Sequence, residues 1–436
     1  MREGVFVVGG GLSGLVAGEQ LDRLGVTSVV LEREAEAGGA CRSIGDDGFT
    51  FDYTGHLLHV AQPETEAYLR ELGVWDRLAI HERRAAVVIG GRVTPYPVQI
   101  NTHGLAPEAR RDCLLGFVQA WSRTDGPDPE NFRQWVLDRF GEGLARHFFF
   151  PYNSKLFRAA PEELSLDWVD RYVPKPKIED VINGAFGLHD ADVGYNATFR
   201  YPRVGGIRLL PDAVAEQVPD LRLSQDVVRI HLGERWLEVA GGERFEWQRL
   251  LSTISLPALL DRIVDPLTED VAAARVNLRW VRVVNLALGV EGPAPTDQHW
   301  LYFPDSELPF YRVGFPSNHG DLAPAGHHTV SVEVSLDPDT GEVDELADAS
   351  ERALADAGFL ETNAIRVRRI SVLDPSYVVF DHARREAVAT LGRYLLDRGV
   401  MLAGRWSEWK YSAMEDAILD GVRAVRSLTQ SSGAGP

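Results

Sequence analysis

The chain begins with an apolar run that leads directly into a glycine pattern. Residues 5 to 18 read VFVVGGGLSGLVAG, with Gly9, Gly11 and Gly14 spaced as G-x-G-x-x-G between a predicted strand and a predicted helix. The first glycine permits the tight turn, the second lets the backbone approach a pyrophosphate, and the third allows close helix packing. The helix N-terminus adds partial positive charge. The pattern therefore predicts a Rossmann-like dinucleotide-binding unit in an α/β fold.

The residues after the second predicted strand distinguish between dinucleotides. This strand begins the run SVVLERE and ends in Glu32, at the distance where a carboxylate can hold ribose hydroxyls. In the following EAEAGGACRS, the residues Gly38, Gly39 and Arg42 extend the glycine turn, as in flavoproteins of the amine-oxidase and mutase group. This similarity favours FAD as the cofactor.

Later segments predict that the FAD-binding domain is discontinuous. LRLSQDVVRIHL reads as a strand pair near the adenine side, WQRLLSTIS as the strand that returns after it, and the C-terminal GVMLAGRW region as strand, glycine turn and helix. Helical spacing of apolar residues between 105 and 180 predicts a helical insert. Alternating apolar and polar residues elsewhere predict a mixed sheet.

The predicted fold class is therefore α/β: a discontinuous Rossmann-like FAD-binding domain with a helical insert domain and a mixed β-sheet domain. The predicted bounds are 1–74, 196–270 and 386–428 for the FAD-binding domain, 105–195 for the helical substrate domain, 75–104 and 271–385 for the sheet domain, and 429–436 for a disordered tail.

Charge and cysteine content exclude several classes of function. The 436 residues carry a formal net charge of −19 without a basic patch, which argues against a nucleic-acid partner. Cys41 and Cys113 offer neither a disulfide framework nor metal-ligand spacing, so no metal site is expected and a reducing compartment fits. Apolar runs fall short of the roughly 20 residues of a membrane span, and the opening lacks a signal pattern. A cytoplasmic protein without membrane contact is expected.

One arginine stands out in an apolar predicted strand. The stretch PFYRVGFPSNHG places Arg312 among Phe310, Tyr311 and Phe315, although the chain as a whole is acidic. A cation in such a position either pairs with an internal carboxylate or binds an anion. The residues by themselves leave both explanations open.

Six segments in order resemble the UDP-galactopyranose mutase family, closer to its eukaryotic-type members. They are FDYTGHLLHV, PYPVQIN, FFPYNSKLF, YNATFRYPRVGG, WLYFPDSELPFYR and GRWSEWKY. The resemblance covers most of the chain. It implies a redox-neutral isomerase that interconverts pyranose and furanose forms of a nucleotide diphosphate hexose, with reduced FAD acting as nucleophile through an N5–sugar adduct. It also implies an external reductant, such as NAD(P)H or a reductase.

The same resemblance assigns roles to individual residues. Arg312 and Arg171 would hold the diphosphate, with a structural ion pair as the alternative for each; His56 would lie beside the flavin, and Arg405 would support its reduced, anionic form. The predicted cofactor-binding residues are Gly9, Gly11, Leu12, Ser13, Gly14, Glu32, Arg33, Gly39, Ala40, Arg42, Gly55, His56, Val228, Gly404, Arg405, Met414 and Glu415. The predicted substrate-binding residues are Tyr96, Gln99, Phe148, Asn153, Phe157, Arg171, Asn196, Trp300, Tyr302, Arg312, His319 and Tyr411.

Four positions depart from the family pattern. Val98 stands where an aromatic residue is usual, Phe157 replaces a tryptophan, His319 a tyrosine and Ala413 a polar residue. Smaller stacking surfaces could admit a purine, so UDP-, GDP- and dTDP-sugars all remain candidates. The alternative function is an FAD-dependent oxidase or desaturase of the amine-oxidase group, and a non-enzymatic FAD-bearing scaffold is a third hypothesis. An amine or apolar substrate would not require the paired arginines.

Overall fold

The computed structural model of the protein describes residues 3–123, 126–169, 173, 175–188 and 197–430. Within these residues, the strands form two large sheets and two small ones. In chain order they are β1 (Glu3–Val8), β2 (Ser28–Leu31), β3 (Ser43–Asp46), β4 (Phe49–Asp52), β5 (Leu78–Glu82), β6 (Ala85–Ile89), β7 (Arg92–Pro95), β8 (Thr198–Pro202), β9 (Leu221–Arg222), β10 (Val227–His231), β11 (Trp236–Val239), β12 (Arg244–Ser252), β13 (Trp280–Glu291), β14 (Trp300–Tyr302), β15 (Arg312–Gly314), β16 (His327–Leu336), β17 (Ile365–Val378) and β18 (Val400–Leu402).

The helices cover both faces of the first sheet and form a separate group in the middle of the chain. They are α1 (Leu12–Arg23), α2 (Pro63–Glu71), α3 (Pro107–Trp121), α4 (Phe132–Leu144), α5 (Phe150–Phe157), α6 (Ile178–Phe186), α7 (Leu209–Ala215), α8 (Leu256–Arg262), α9 (Glu269–Val276), α10 (Val343–Asp356), α11 (Arg384–Leu396) and α12 (Met414–Gln430). A π-helical turn, Ala145–Phe149, joins α4 to α5. Within the described residues, no helix is both long and apolar enough to cross a membrane.

The first large sheet is built around β1, as the N-terminal pattern predicts. β1 pairs in parallel with β2 and β12, while β9 and β18 extend the parallel part on either side. Val5, Phe6, Val7 and Val8 are all buried, because helices cover both faces of a parallel sheet. The sheet thus presents the carboxyl end of β1, with its glycine turn, at the edge where ligands bind in such folds.

One detail of this sheet differs from the sequence prediction. The segment LRLSQDVVRIHL forms two strands, but they do not pair with each other: β9 pairs with β2, and β10 pairs with β11. The reason is local, because residues 232–235 form a turn that returns the chain directly as β11 beside β10. The segment WQRLLSTIS contributes to β12, the predicted returning strand.

The second large sheet joins two distant parts of the chain. Its order is β17-β13-β16-β15-β14-β6-β7, and the β14–β6 pair is its parallel step. β6 and β7 therefore lie in one mixed sheet with β13 to β17. β5 departs from that scheme, since it pairs with β8 in a small separate sheet. The complete set of domain bounds stays a prediction.

The helices α3 to α6 pack around an aromatic core. Phe117, Phe132, Trp135, Phe140 and Phe149 are buried in one cluster with residues of the second sheet. This packing fixes the π-helical turn and α5 against the sheet. The helical group consequently supplies one wall of the space between the two large sheets.

Candidate active site

A cavity of about 450 Å³ lies where the two large sheets and the helical group meet. This volume is within the range of about 300–1,000 Å³ that is typical of small-molecule sites. Its lining comes from the glycine turns of the first sheet, a turn at residues 54–57, strands β14 to β17, α5 and the start of α12. Chain segments that are remote in sequence thus meet in one cleft.

The glycine turn (residues 9–14) has the shape that a dinucleotide requires. Gly9 has a φ of +106°, and a Cβ on Gly14 would lie 2.0 Å from the carbonyl oxygen of Gly9. A Cβ on Gly39 would lie 3.1 Å from the Cα of Gly11, so the second glycine turn touches the first. α1 begins without a side-chain cap, which leaves its first N–H groups available to an anion. The backbone therefore fits a pyrophosphate at this point.

Charged residues at the end of β2 and beyond hold the backbone beside this turn. The Glu32 carboxylate accepts hydrogen bonds from the Gly10 N–H at 2.6 Å and the Glu34 N–H at 2.9 Å. Arg42 donates from Nε to the Gly39 carbonyl at 2.9 Å, and Arg33 is exposed and paired with Glu34. Glu32 and Arg42 thus fix the geometry around the cavity without lining it.

The turn at residues 54–57 carries His56 into the cavity wall. His56 Nδ1 lies 3.1 Å from the Thr54 carbonyl, which can only accept, so Nδ1 carries the proton and Nε2 is an acceptor. Burial lowers the pKa of His56 to about 4, so the ring is neutral at neutral pH. This histidine can accept a hydrogen bond but does not supply charge.

Arg312 lies in the cavity wall and also pairs with a buried carboxylate. Its Nη2 lies 2.7 Å from both oxygens of Glu333, and its Nε lies 3.1 Å from Oε2. Among the described residues, Nη1 makes no hydrogen bond. Burial alone would lower the pKa of Arg312, but Glu333 and the surrounding tyrosines raise it well above its ordinary value. Arg312 therefore pairs with an internal carboxylate and can still bind an anion through Nη1, so the two explanations left open by the sequence are compatible. Its Nε and Nη2 are occupied by Glu333.

Glu333 is a site residue that the sequence analysis missed. It lies directly opposite Arg312 in the β15–β16 pair and is 2% exposed. A signal was present, because Glu333 is the one acidic residue in the apolar run TVSVEVSL, just as Arg312 is the one basic residue in its own strand. Two isolated opposite charges in neighbouring apolar strands indicate an internal pair.

Arg405 provides a positive charge that no carboxylate neutralises within the described residues. Its Nη1 donates to the Ser412 carbonyl at 3.0 Å and its Nη2 to the Ser376 carbonyl at 3.2 Å. The guanidinium lies 5.1 Å from the ring centroid of Tyr377 and 4.7 Å from that of Tyr411. These contacts hold a cation in the lining near the glycine turns, where it can stabilise an anionic group.

Aromatic residues and amides line another part of the cavity. The rings of Tyr96 and Tyr302 lie 5.0 Å apart, and Phe148 stacks on Tyr152 at 5.3 Å. Asn153 donates from Nδ2 to the Phe149 carbonyl at 2.8 Å. The predicted site residues that line this cavity are Gly11, Leu12, Ser13, Gly39, Ala40, Gly55, His56, Tyr96, Gln99, Phe148, Asn153, Phe157, Tyr302, Arg312, Gly404, Arg405, Tyr411 and Met414.

Several lining residues were not predicted. They include Arg83, Tyr152, Trp168, Tyr311 and Tyr377. Tyr152 was detectable, since it follows Phe148 by four residues and therefore shares its helical face. Tyr377 and Trp168 lack such a local signal, because the strand and loop that carry them reach the cavity only through the fold.

Other predicted residues lie away from this cavity. Trp300 and His319 line a smaller cavity of about 50 Å³ behind the turn at residues 54–57. Val228 is 37% exposed on β10, and Glu415 accepts hydrogen bonds from the N–H groups of Ala61 and Gln62. Arg171 and Asn196 lie outside the described residues. Within the described ranges, no group of three or more histidine, cysteine or acidic residues could hold a metal ion.

A family model for flavin containing amine oxidoreductases matches residues 12–429. The chain is 23% identical over 269 residues to protoporphyrinogen oxidase 2, chloroplastic/mitochondrial, of Arabidopsis thaliana, covering 56% of this chain and 52% of that protein. It is 23% identical over 168 residues to a probable UDP-galactopyranose mutase of Klebsiella pneumoniae, covering 37% of this chain and 43% of that protein. These matches span about half the length of the curated relatives.

Solved structures match over almost the whole chain. A crystal structure of reduced UDP-galactopyranose mutase aligns with a TM-score of 0.90 and 26% identity, covering 99% of this chain and 96% of that one. A putative protoporphyrinogen oxidase from Exiguobacterium sp. 255-15 aligns with a TM-score of 0.76 and 16% identity, covering 99% of both chains. The second likeness shows the fold alone.

Proposed function

Because this chain belongs to the flavin containing amine oxidoreductase family, we propose that it uses FAD for a redox-neutral isomerisation. The proposed reaction interconverts the pyranose and furanose forms of a nucleotide diphosphate hexose. The observation that carries the proposal is an arginine, Arg312, held in the wall of the cofactor cavity among tyrosine hydroxyls. The likeness to a mutase structure at a TM-score of 0.90 supports it.

In this proposal, the two glycine turns and the start of α1 would hold the FAD pyrophosphate. Glu32, whose carboxylate also accepts from the Gly10 and Glu34 N–H groups, would accept from the ribose hydroxyls. His56 and Arg405, which both line the cavity, would lie beside the flavin ring. Reduced FAD, when bound, supplies a nucleophilic ring nitrogen. An external reductant, such as NAD(P)H or a reductase, must therefore act before the isomerisation. Arg405 favours the reduced flavin because its positive charge offsets a negative ring in a site of low dielectric constant.

The diphosphate would lie between Arg312 and the tyrosines of the cavity. Arg312 still has the two N–H groups of Nη1 for a phosphate oxygen, and a charge-assisted hydrogen bond is stronger than a neutral one. Burial raises the pKa of Tyr377 to about 12 and also raises that of Tyr302. Both hydroxyls therefore remain protonated at neutral pH and can donate to phosphate oxygens. Such donors stabilise the charge that develops on a departing diphosphate.

The nucleoside would occupy the aromatic end of the cavity. Tyr96 and Phe148 offer stacking surfaces, and the Gln99 and Asn153 side chains offer amide groups for a base and its ribose. Val98 is fully buried and does not belong to the described lining, so it provides no stacking surface. The proposal therefore covers UDP-, GDP- and dTDP-linked sugars.

The decisive experiment reduces the purified holoenzyme with dithionite without oxygen and supplies UDP-, GDP- and dTDP-galactose separately. Chromatography should detect a furanose product with one of them, and none while the flavin is oxidised.

Arg312→Lys keeps a cation beside Glu333 but removes Nη1, so it should reduce turnover by about 100-fold, in keeping with the loss of one charged donor to a transition state. Arg279→Lys, in an exposed ion pair with Glu163, is the matched control. Absence of any furanose product contradicts the proposal.

The second candidate function is a flavin oxidase or desaturase. Its support is the apolar part of the lining at Phe148, Leu156, Phe157 and Phe380, together with the match to a plant protoporphyrinogen oxidase. An enzyme of this kind would consume oxygen with amines, polyenes or protoporphyrinogen and would not isomerise nucleotide sugars. Oxygen-electrode measurements with these compounds separate the two candidates.

A further inference from the structure

Glu333 lies in the wall of the cavity beside Arg312. Besides Arg312, its carboxylate accepts hydrogen bonds from the Tyr311 hydroxyl at 2.6 Å and from the Gly55 N–H at 3.2 Å. Gly55 precedes His56 in the turn at residues 54–57, which lines the cavity and which the proposed function places beside the flavin. One buried carboxylate thus contacts both the proposed anion-binding arginine and the backbone of the flavin-facing turn.

The charges at this point nearly cancel. Arg312 and Glu333 form a bidentate pair with a net charge of zero, and the side chains are 21% and 3% exposed. His56, the titratable group on the other side of Gly55, is neutral at neutral pH. A diphosphate therefore meets a guanidinium whose charge is offset and whose fork is already used. Buried charges interact strongly, so this carboxylate weakens the attraction of any anion in the cavity.

We propose that Glu333 is a positioning residue that orients Arg312 and limits its affinity for the diphosphate, so that the leaving group can depart and return. This inference rests on the proposed isomerase function. Glu333 also places a negative charge behind the flavin-facing turn, where it opposes an anionic reduced flavin. Arg312 and Arg405 act in the opposite direction.

A purely structural role for Glu333 predicts different behaviour. If the ion pair only held β15 and β16 together, replacing Glu333 would loosen Arg312 and weaken anion binding. If Glu333 limits the affinity, Glu333→Gln should strengthen anion binding, because the amide keeps the shape and removes the negative charge. The two roles therefore predict changes of opposite sign in the same dissociation constant.

The first measurement is calorimetric titration of the oxidised holoenzyme with UDP, GDP, dTDP and inorganic pyrophosphate. Glu333→Gln should bind at least one of these anions on the order of tenfold more tightly than the unaltered protein, from loss of a buried opposing charge. Glu66→Gln, in the exposed pair with Arg70 on α2, should leave the affinity unchanged. Equal or weaker binding by Glu333→Gln overturns the inference, as does a lack of binding by both proteins.

The second measurement needs no substrate and is therefore independent of the proposed reaction. The flavin reduction potential should rise in Glu333→Gln and fall in Arg312→Gln. The double variant should return towards the unaltered value, because it restores a neutral pair of similar shape. If Glu333→Gln does not fold, the double variant can be measured in its place, because it leaves no unpaired charge buried. If the double variant and Arg312→Gln have the same potential, Glu333 does not act on the flavin.

These outcomes separate the inference from the function on which it rests. An enzyme that shows tighter anion binding in Glu333→Gln but forms no furanose supports the role of Glu333 and rejects the isomerase. An enzyme that forms furanose while Glu333→Gln binds anions no more tightly supports the isomerase and rejects this role.

Discussion

At the scale of single residues, the stability of the protein depends on the Arg312–Glu333 pair. Arg312→Ala would leave the Glu333 carboxylate buried with the Tyr311 hydroxyl and the Gly55 N–H as its remaining partners. Breaking a buried pair in this way costs about 3 kcal/mol of unfolding free energy. Urea denaturation should show this loss, and Arg312→Ala combined with Glu333→Gln should recover part of it. If Arg312→Ala is as stable as the original protein, the Arg312–Glu333 pair does not contribute to the free energy of unfolding.

Asp52 and His56 give a second prediction at this scale, because their stability effects oppose each other. The Asp52 carboxylate accepts hydrogen bonds from Ser43 and Tyr201 at 2.6 Å, yet burial raises its pKa to about 6. Its folded pKa lies above its unfolded value, so its contribution is greatest at low pH and is lost as pH rises through 6. His56 has a lowered pKa of about 4, so its contribution is lost as pH falls from 6.5 towards 4.

Between pH 6 and pH 4 these two effects partly cancel in the unaltered protein. Asp52→Asn removes one of them, worth about 3 kcal/mol across this window. The variant should therefore lose stability on acidification more steeply than the unaltered protein. Urea midpoints at pH 4.5 and 6.5 test this, with Asp47→Asn in an exposed turn as the control. An unchanged pH dependence in Asp52→Asn contradicts the prediction.

At the scale of elements, the turn from β1 into α1 tolerates no side chain at Gly14. A Cβ at Gly14 would lie 2.0 Å from the Gly9 carbonyl oxygen, so Gly14→Ala must displace the turn that fits the pyrophosphate. We expect a purified protein with most of its FAD lost, measured by the ratio of absorbance at the flavin band to that of the protein.

A glycine in another helix provides the matched comparison. Gly392 in α11 has no atom within 4 Å of an added Cβ. Gly392→Ala should keep full FAD content and gain roughly 0.5–1 kcal/mol of stability from the better helix propensity of alanine. Equal FAD content in the two variants would mean that the glycine turn does not hold the cofactor.

At the scale of the whole molecule, net charge affects how a substrate arrives. The chain carries a formal charge of −19, and the proposed substrate, a nucleotide diphosphate sugar, is also anionic. Long-range repulsion should slow association at low ionic strength, because the screening length is about 30 Å at 0.01 M salt and about 10 Å at 0.1 M. Stopped-flow measurements should show association becoming faster over this range. Slower association with added salt would indicate that the arginines near the cavity dominate the electric field that an arriving anion meets.

Local patterns predicted the elements that depend on neighbouring residues. The G-x-G-x-x-G spacing predicted β1, the glycine turn and α1, and alternation predicted that residues 75–104 and 275–380 contribute strands. The prediction of a strand pair at 221–232 was wrong, because pairing depends on which strand lies alongside. A run of residues indicates that a strand forms, but its partner is set by the packing of the sheet.

The sequence by itself determined the α/β class and the cofactor turn, since backbone conformation at glycines and the hydrophobic period are local properties. It also identified Arg312 as an unusual charge, while Arg405 was assigned only through the family resemblance. Only the tertiary structure decided that Glu333 occupies the fork of Arg312, that Tyr377 and Arg83 reach the same cavity, and that Trp300 and His319 face a different one. The physical reason is that these contacts join residues brought together by sheet register and packing, which depend on the whole chain.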